Sequence, residues 1–347
     1  MAQDPAVSDQ KVSGQQVSGR QVSGQQVSGR QVLAWIEAER YAEAEAALRA
    51  RLSATPGAPA VRFLLGKVLL AQFRFSEAEL ELEKAVALRG DRELWHHALA
   101  TARAEQGQCQ GALEALEKAL ALVDRPELRY DKAMCALTIG DFALAQGELE
   151  RALALAPDHP RAHDQLGRLH SSLGNDARAR ELLDRAVTLA PDNLDARYHL
   201  GLVTRRLGDA AAAIPHFESV VAAVPGHAGA LYNLALALRS VGRGSEARAR
   251  LESFREVSRR DDLIDNQLQY IQLHPTETAP RLSAARLLLE AGRHDEARQQ
   301  LEAARLLEPG ESTVHLLLVE VYERLGQPVA AEQARRAAQR TGPGSGG

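Results

Sequence analysis

The chain has 347 residues, of which 45% are hydrophobic and only 4% aromatic, with a formal net charge of −4. That balance suits a helical array and excludes an aromatic-rich core or a disordered chain, and its sign argues against a nucleic-acid binder. The two cysteines, Cys109 and Cys135, form neither a CxxC pair nor the density of a disulfide framework, and they read as small buried helix residues compatible with either redox compartment.

Residues 1–31 come first, and within them VSGQQVSGRQ is written twice between 12 and 31. Each glycine costs a helix roughly 1 kcal/mol, and valines five apart form no stripe, so this stretch reads as a disordered low-complexity tail. It contains neither the basic and apolar blocks of a signal peptide nor, anywhere downstream, an apolar run of about 20 residues that could span a membrane. A soluble protein is expected, in the cytoplasm, with the periplasm or secretion open if a leader has been removed. Arginine far outnumbers lysine, which reads first as the codon bias of a GC-rich bacterial genome.

From Val32 to Asp261 one pattern recurs. It is clearest over residues 194–227, where Leu200-Gly201, Gly208, Ala213, Phe217 and Pro225 follow one another. About 34 residues earlier stand Leu166-Gly167, Gly174, Ala179, Leu183 and Pro191, and the same distance later Leu234-Ala235, Gly242, Ala247 and Leu251. Two antiparallel helices cross closely only where a side chain is nearly absent. Gly167, Gly201 and Ala235 should therefore face Ala179, Ala213 and Ala247, with Leu183, Phe217 and Leu251 filling the space between. Gly174, Gly208 and Gly242 suit the left-handed turn that ends the first helix. Further units begin near Pro59, Glu93 and Pro126, and the stretch Leu33–Leu52 matches the second half of a unit whose first helix is short. About seven units, the first one partial, fill residues 32–261. Pro215 lies early in a helix, where it costs one donor bond without breaking the element.

After Ser258 the register fails. Residues 262–277 are expected to form an extra helix and linker, with Asp261 or Asp262 as cap, Leu263, Ile264, Leu268 and Ile271 on one side, and His274-Pro275 at the end. Two further units follow over 278–340, and 341–347 read as a second disordered tail.

This register resembles that of the tetratricopeptide repeat (TPR) family, W-x2-L-G-x2-Y then A-x3-F then A and P, keeping the small residues and leucines better than the aromatics. His163 and Arg197 stand in the Trp position, and His170 and Thr204 in the Tyr position. The resemblance implies an all-α fold, an α-solenoid of helix-turn-helix repeats in a right-handed superhelix. It also implies that the first helices line a concave groove. On that frame the groove residues are Tyr130 and Met134, Arg161 and Arg168 with Asp164, Tyr198, Leu202 and Arg205, then Tyr232, Leu236 and Arg239.

Tyrosine gives broad contact and arginine grips carboxylates, so the partner expected is a protein or peptide segment with acidic and apolar residues. The Lys and Asn pair with which some relatives clamp a chaperone's C-terminal carboxylate is missing. His96, His163 and His315, and the pair His159/His163, read as packing histidines. Asp261-Asp262 with Glu256 read as cap and solvated face. No phosphate loop, nucleophile elbow or zinc-protease motif occurs. The chain therefore reads as a non-enzymatic interaction scaffold without cofactor or metal; the alternative is a regulatory or targeting subunit of a multiprotein enzyme, secretion or envelope-assembly complex.

Overall fold

The structure, a computed structural model, describes residues 29–341, and these contain eighteen helices and no strand. They divide into two compact units, one ending at Asp192 and the other beginning at Asn193. In the first unit the helices pair in chain order: α1 (Gly29–Glu37) with α2 (Tyr41–Ala54), α3 (Pro59–Ala71) with α4 (Phe75–Leu88), and α5 (Glu93–Ala104) with α6 (Cys109–Leu122). Then follow α7 (Pro126–Thr138) with α8 (Phe142–Leu155), and α9 (Pro160–Ser172) with α10 (Asp176–Leu189). The second unit holds α11 (Leu194–Arg206), α12 (Ala210–Ala223), α13 (Ala228–Ser240), α14 (Gly244–Leu273), α15 (Thr278–Glu290), α16 (His294–Leu307), α17 (Ser312–Arg324) and α18 (Pro328–Thr341).

Residues 1–28 of the first tail and 342–347 of the second lie outside the described residues. Gly29–Gln31, assigned to the first tail by composition, are instead helical. They supply the turn of α1 that carries Val32 into the core, where Val32 is buried with Trp35 and Ile36 packed alongside.

Where the first helix carries glycine at the crossing, the pair closes on a missing side chain. A β-carbon at Gly167 would sit 2.7 Å from Leu183 Cγ, and one at Gly201 would sit 2.8 Å from Phe217 Cε1. Leu183 and Phe217 are themselves wholly buried, so neither can move aside. The turn between paired helices is set by a residue with positive φ, glycine at 107, 140, 174, 208, 242, 292 and 326, but Glu39 and Phe73 in the first two pairs. Two chemistries then start the second helix. Asp141 and Asp209 cap it by accepting Leu144 N–H and Ala212 N–H, both at 3.0 Å. Arg40, Arg74, Arg243 and Arg293 occupy the same register and pair with Glu43, Glu77, Glu246 and Glu296 three residues on, at 2.6–2.9 Å.

At five of the turns between pairs, the fourth residue of the next first helix supplies a tie. His96, His163 and His315, protonated on Nε2, donate to the carbonyls of Gly90, Pro157 and Pro309 at 2.8–2.9 Å. Arg62 and Arg281 reach the carbonyls of Pro56 and Pro275 in the same way. A polar donor thus secures the junction where the family pattern has Trp, which is why the histidines are structural. Arg62 and Arg129 extend further, to Glu81 and to the buried Glu148, nineteen residues on in both cases.

The separate helix expected over 262–277 does not form. Residues 262–273 are instead the last turns of α14, thirty residues long, with Asp261 and Asp262 in its interior where they cap nothing. Between Ser245 and His274 there is no glycine or proline, and Arg259 stands in the register that Pro191 and Pro225 hold elsewhere, so nothing stops the helix. Val257, Ile264 and Ile271, seven apart, are buried. One helix thereby serves two cores: Ala247 joins Phe217 and Leu234, while Ile264 and Ile271 join Ala284, Leu288 and Leu301. Pro215 stays inside an unbroken α12.

Candidate partner-binding faces on the first helices

The residues read as groove-lining fall in both units, and their surroundings differ. In the first unit Tyr130 is only 4% exposed, so it cannot offer its ring to a partner. His159 stacks on it at 5.4 Å and the Arg161 guanidinium covers it at 4.5 Å. Burial raises the tyrosine's pKa, against the opposing charge and hydrogen bond of Arg161. Arg161, read as a carboxylate grip, is thus engaged by a ring of its own chain. Met134 packs against the same core, Arg168 is half-buried, and Asp164 is buried.

In the second unit Tyr198 repeats this arrangement in part. His227 lies 4.7 Å from its ring and Phe217 6.0 Å. Asn233 Nδ2 donates to the Gly229 carbonyl at 2.8 Å and reaches Tyr198 Oη at 3.4 Å. A β-carbon at Gly229 would stand 2.6 Å from that oxygen, so glycine is what lets the tyrosine lie there. Burial raises the pKa of Tyr198, with the Asn233 bond and the Arg205 charge opposing.

Tyr232 is different. It is 42% exposed, with Phe254 behind it at 5.3 Å. Leu202 and Leu236 are half-buried and in register on α11 and α13, and Arg205, half-buried, and Arg239, exposed, occupy equivalent places one repeat apart. Neither arginine has an ion-pair partner among the described residues, whereas the turn arginines Arg74, Arg243 and Arg293 are all paired. α13 therefore presents an exposed ring and an exposed unpaired guanidinium, while the unpaired Arg205 of α11 is half-buried near Tyr198.

Two family models described as tetratricopeptide repeat match this sequence, one over 97–160, 130–194, 165–228 and 282–346, the other over 36–102 and 204–265. The chain belongs to the tetratricopeptide repeat family. The matched segments leave out 266–281, which is the end of α14, the turn after it and the first turn of α15. Among solved structures the chain is similar to PilF of Pseudomonas aeruginosa, at 18% identity and a TM-score of 0.53, covering 58% of this chain and 92% of that one. It is similar to PilW, described as a widely conserved type IV pilus biogenesis factor, at 18% identity and a TM-score of 0.51 over 56% and 91%. These likenesses concern the fold. No curated protein matches.

Within this TPR frame the sequence reading did not place His159 against Tyr130 or His227 against Tyr198. His159 and His227 are the N-cap residues of α9 and α13, each accepting a backbone N–H through Nδ1, from Ala162 at 3.1 Å and from Ala230 at 3.0 Å. The signal was a constant separation: Tyr130 to His159 and Tyr198 to His227 are both 29 residues apart. The pairing of His97 Nε2 with Asp131 at 2.6 Å, from one first helix to the next, was also missed. No helix among the described residues is long and apolar enough to cross a membrane.

Proposed function

We propose that this TPR protein is a non-enzymatic scaffold that holds an acidic and apolar segment of a partner protein against α11 and α13. The observation that carries the reading is the pair Arg205 and Arg239, one repeat apart and without carboxylate partners, with the exposed ring of Tyr232 on the same helix as Arg239. A guanidinium binds a carboxylate through two parallel bonds, and repetition at the repeat spacing favours a ligand that runs from one helix to the next. Leu202 and Leu236 supply the apolar floor between them. Tyr130, Arg161 and Tyr198 belong to the support of such faces, since their rings and charge are engaged internally.

Affinity capture tests this with the wild-type chain and with Tyr232→Ala/Leu236→Ala/Arg239→Ala, after circular dichroism has shown equal helicity. The reading expects a specific partner to be lost from the variant and to be displaced from the wild type by salt. Capture of the same partners by both proteins would remove α13 from the site.

A further inference from the structure

The chain has only two cysteines, and the fold brings them together. Cys109 is the first residue of α6 and Cys135 lies late in α7, the first helix of the next pair. Both are 5% exposed and belong to one core cluster, α6 packs against α7, and Cys109 is close enough to Cys135 to raise its pKa. At the corresponding register in neighbouring pairs the chain carries Phe75 with Ala102 and Phe142 with Leu169, ordinary apolar residues. At this one junction a thiol stands at each of the two places.

We propose that Cys109 and Cys135 are a redox modification site, oxidised to an intramolecular disulfide that ties α6 to α7. The roles of the two sulfurs differ. Burial, with the Cys109 and Asp131 charges and the Cys109 hydrogen bond adding to it, pushes the Cys135 thiol up to about 12, so it keeps its proton. The attacking sulfur is that of Cys109, which follows the exposed turn residues Gly107 and Gln108.

With hydrogen peroxide as oxidant, the Cys109 thiolate attacks one peroxide oxygen and breaks the O–O bond, giving a sulfenic acid and hydroxide. The Cys135 sulfur then attacks the Cys109 sulfur. The S–O bond breaks, and the hydroxyl leaves as water with the Cys135 proton. The hydroxide takes up the proton that Cys109 gave, so two thiols and one peroxide yield one disulfide and two waters. The bond closes a loop from 109 to 135 and fixes two successive repeats to each other.

The test treats the full chain with hydrogen peroxide and measures its intact mass, then maps its peptides without reductant. The proposal expects a loss of two hydrogens, a cross-linked peptide pair containing Cys109 and Cys135, and full reversal by a dithiol. It also expects no such loss in Cys109→Ser or Cys135→Ser, each shown by circular dichroism to be as helical as the parent. Gain of oxygen alone, a disulfide-linked dimer, or an unchanged mass under conditions that oxidise the urea-unfolded chain would overturn it.

Discussion

Phe73 holds φ at +59 where seven other turns place glycine, and its ring is 79% exposed. A left-handed backbone costs a residue with a β-carbon about 1–2 kcal/mol, partly offset in a glycine variant by the entropy of its unfolded chain. Phe73→Gly should therefore stabilise the protein by about 0.5–1 kcal/mol in urea unfolding; a loss of stability would mean that the edge contact between Phe73 and Phe75 outweighs the strain. Gly201→Ala acts in the opposite sense. Its new methyl meets the wholly buried Phe217, and overpacking of this kind costs about 1–3 kcal/mol. The close approach at Gly167 and Gly201 was legible because small residues recur against large ones at a fixed spacing. The stacking of His159 on Tyr130 was not, since ring contacts depend on rotamers that a register does not set.

Among elements, α14 separates the two kinds of reasoning most clearly. Asp261-Asp262 has the composition of a cap, yet the helix passes through it because no residue ahead of it interrupts the backbone bonds. Arg259→Pro restores the proline that other repeats carry in this register. In a continuous α14 it removes one bond and adds a clash, for a loss of about 3 kcal/mol or more in urea unfolding. Unchanged stability would show a natural helix break there.

The turns carry a pH signature. The hydrogen bonds from Arg40, Arg74, Arg243 and Arg293 lower the carboxyl pKa of Glu43, Glu77, Glu246 and Glu296 from the ordinary 4.5. Groups lowered by folding stabilise the folded chain fully above their unfolded value and lose that contribution as the pH falls through their folded values. Thermal unfolding followed by circular dichroism should show a midpoint falling below about pH 4.5 from this cause. Replacing Glu246 and Glu296 by Gln should flatten that fall.

At the scale of the molecule, stability in a TPR chain is a sum over neighbours. The penalty of Gly201→Ala should consequently appear in hydrogen exchange as faster amides in α11 to α13, with those of α3 to α6 unchanged. Uniformly faster exchange would instead require all-or-none unfolding of the whole chain. The repeat frame, and with it the family, was legible because each pair buries the same few positions. The candidate face was legible only as a register of outward positions. Burial divided that register, taking the Tyr130 ring inside under Arg161, half-burying Arg205, and leaving Tyr232 and Arg239 exposed.

A partner lying across α11 and α13 must be within reach of side chains on those helices. Site-specific photo-crosslinking tests it directly, with the crosslinking side chain placed at Tyr232 or Leu236 and, for comparison, at exposed Leu263 and Leu306 on other helices. Specific adducts from 232 and 236, weakened by Arg205→Glu/Arg239→Glu, are the predicted result. Adducts arising only from 263 or 306 would contradict it.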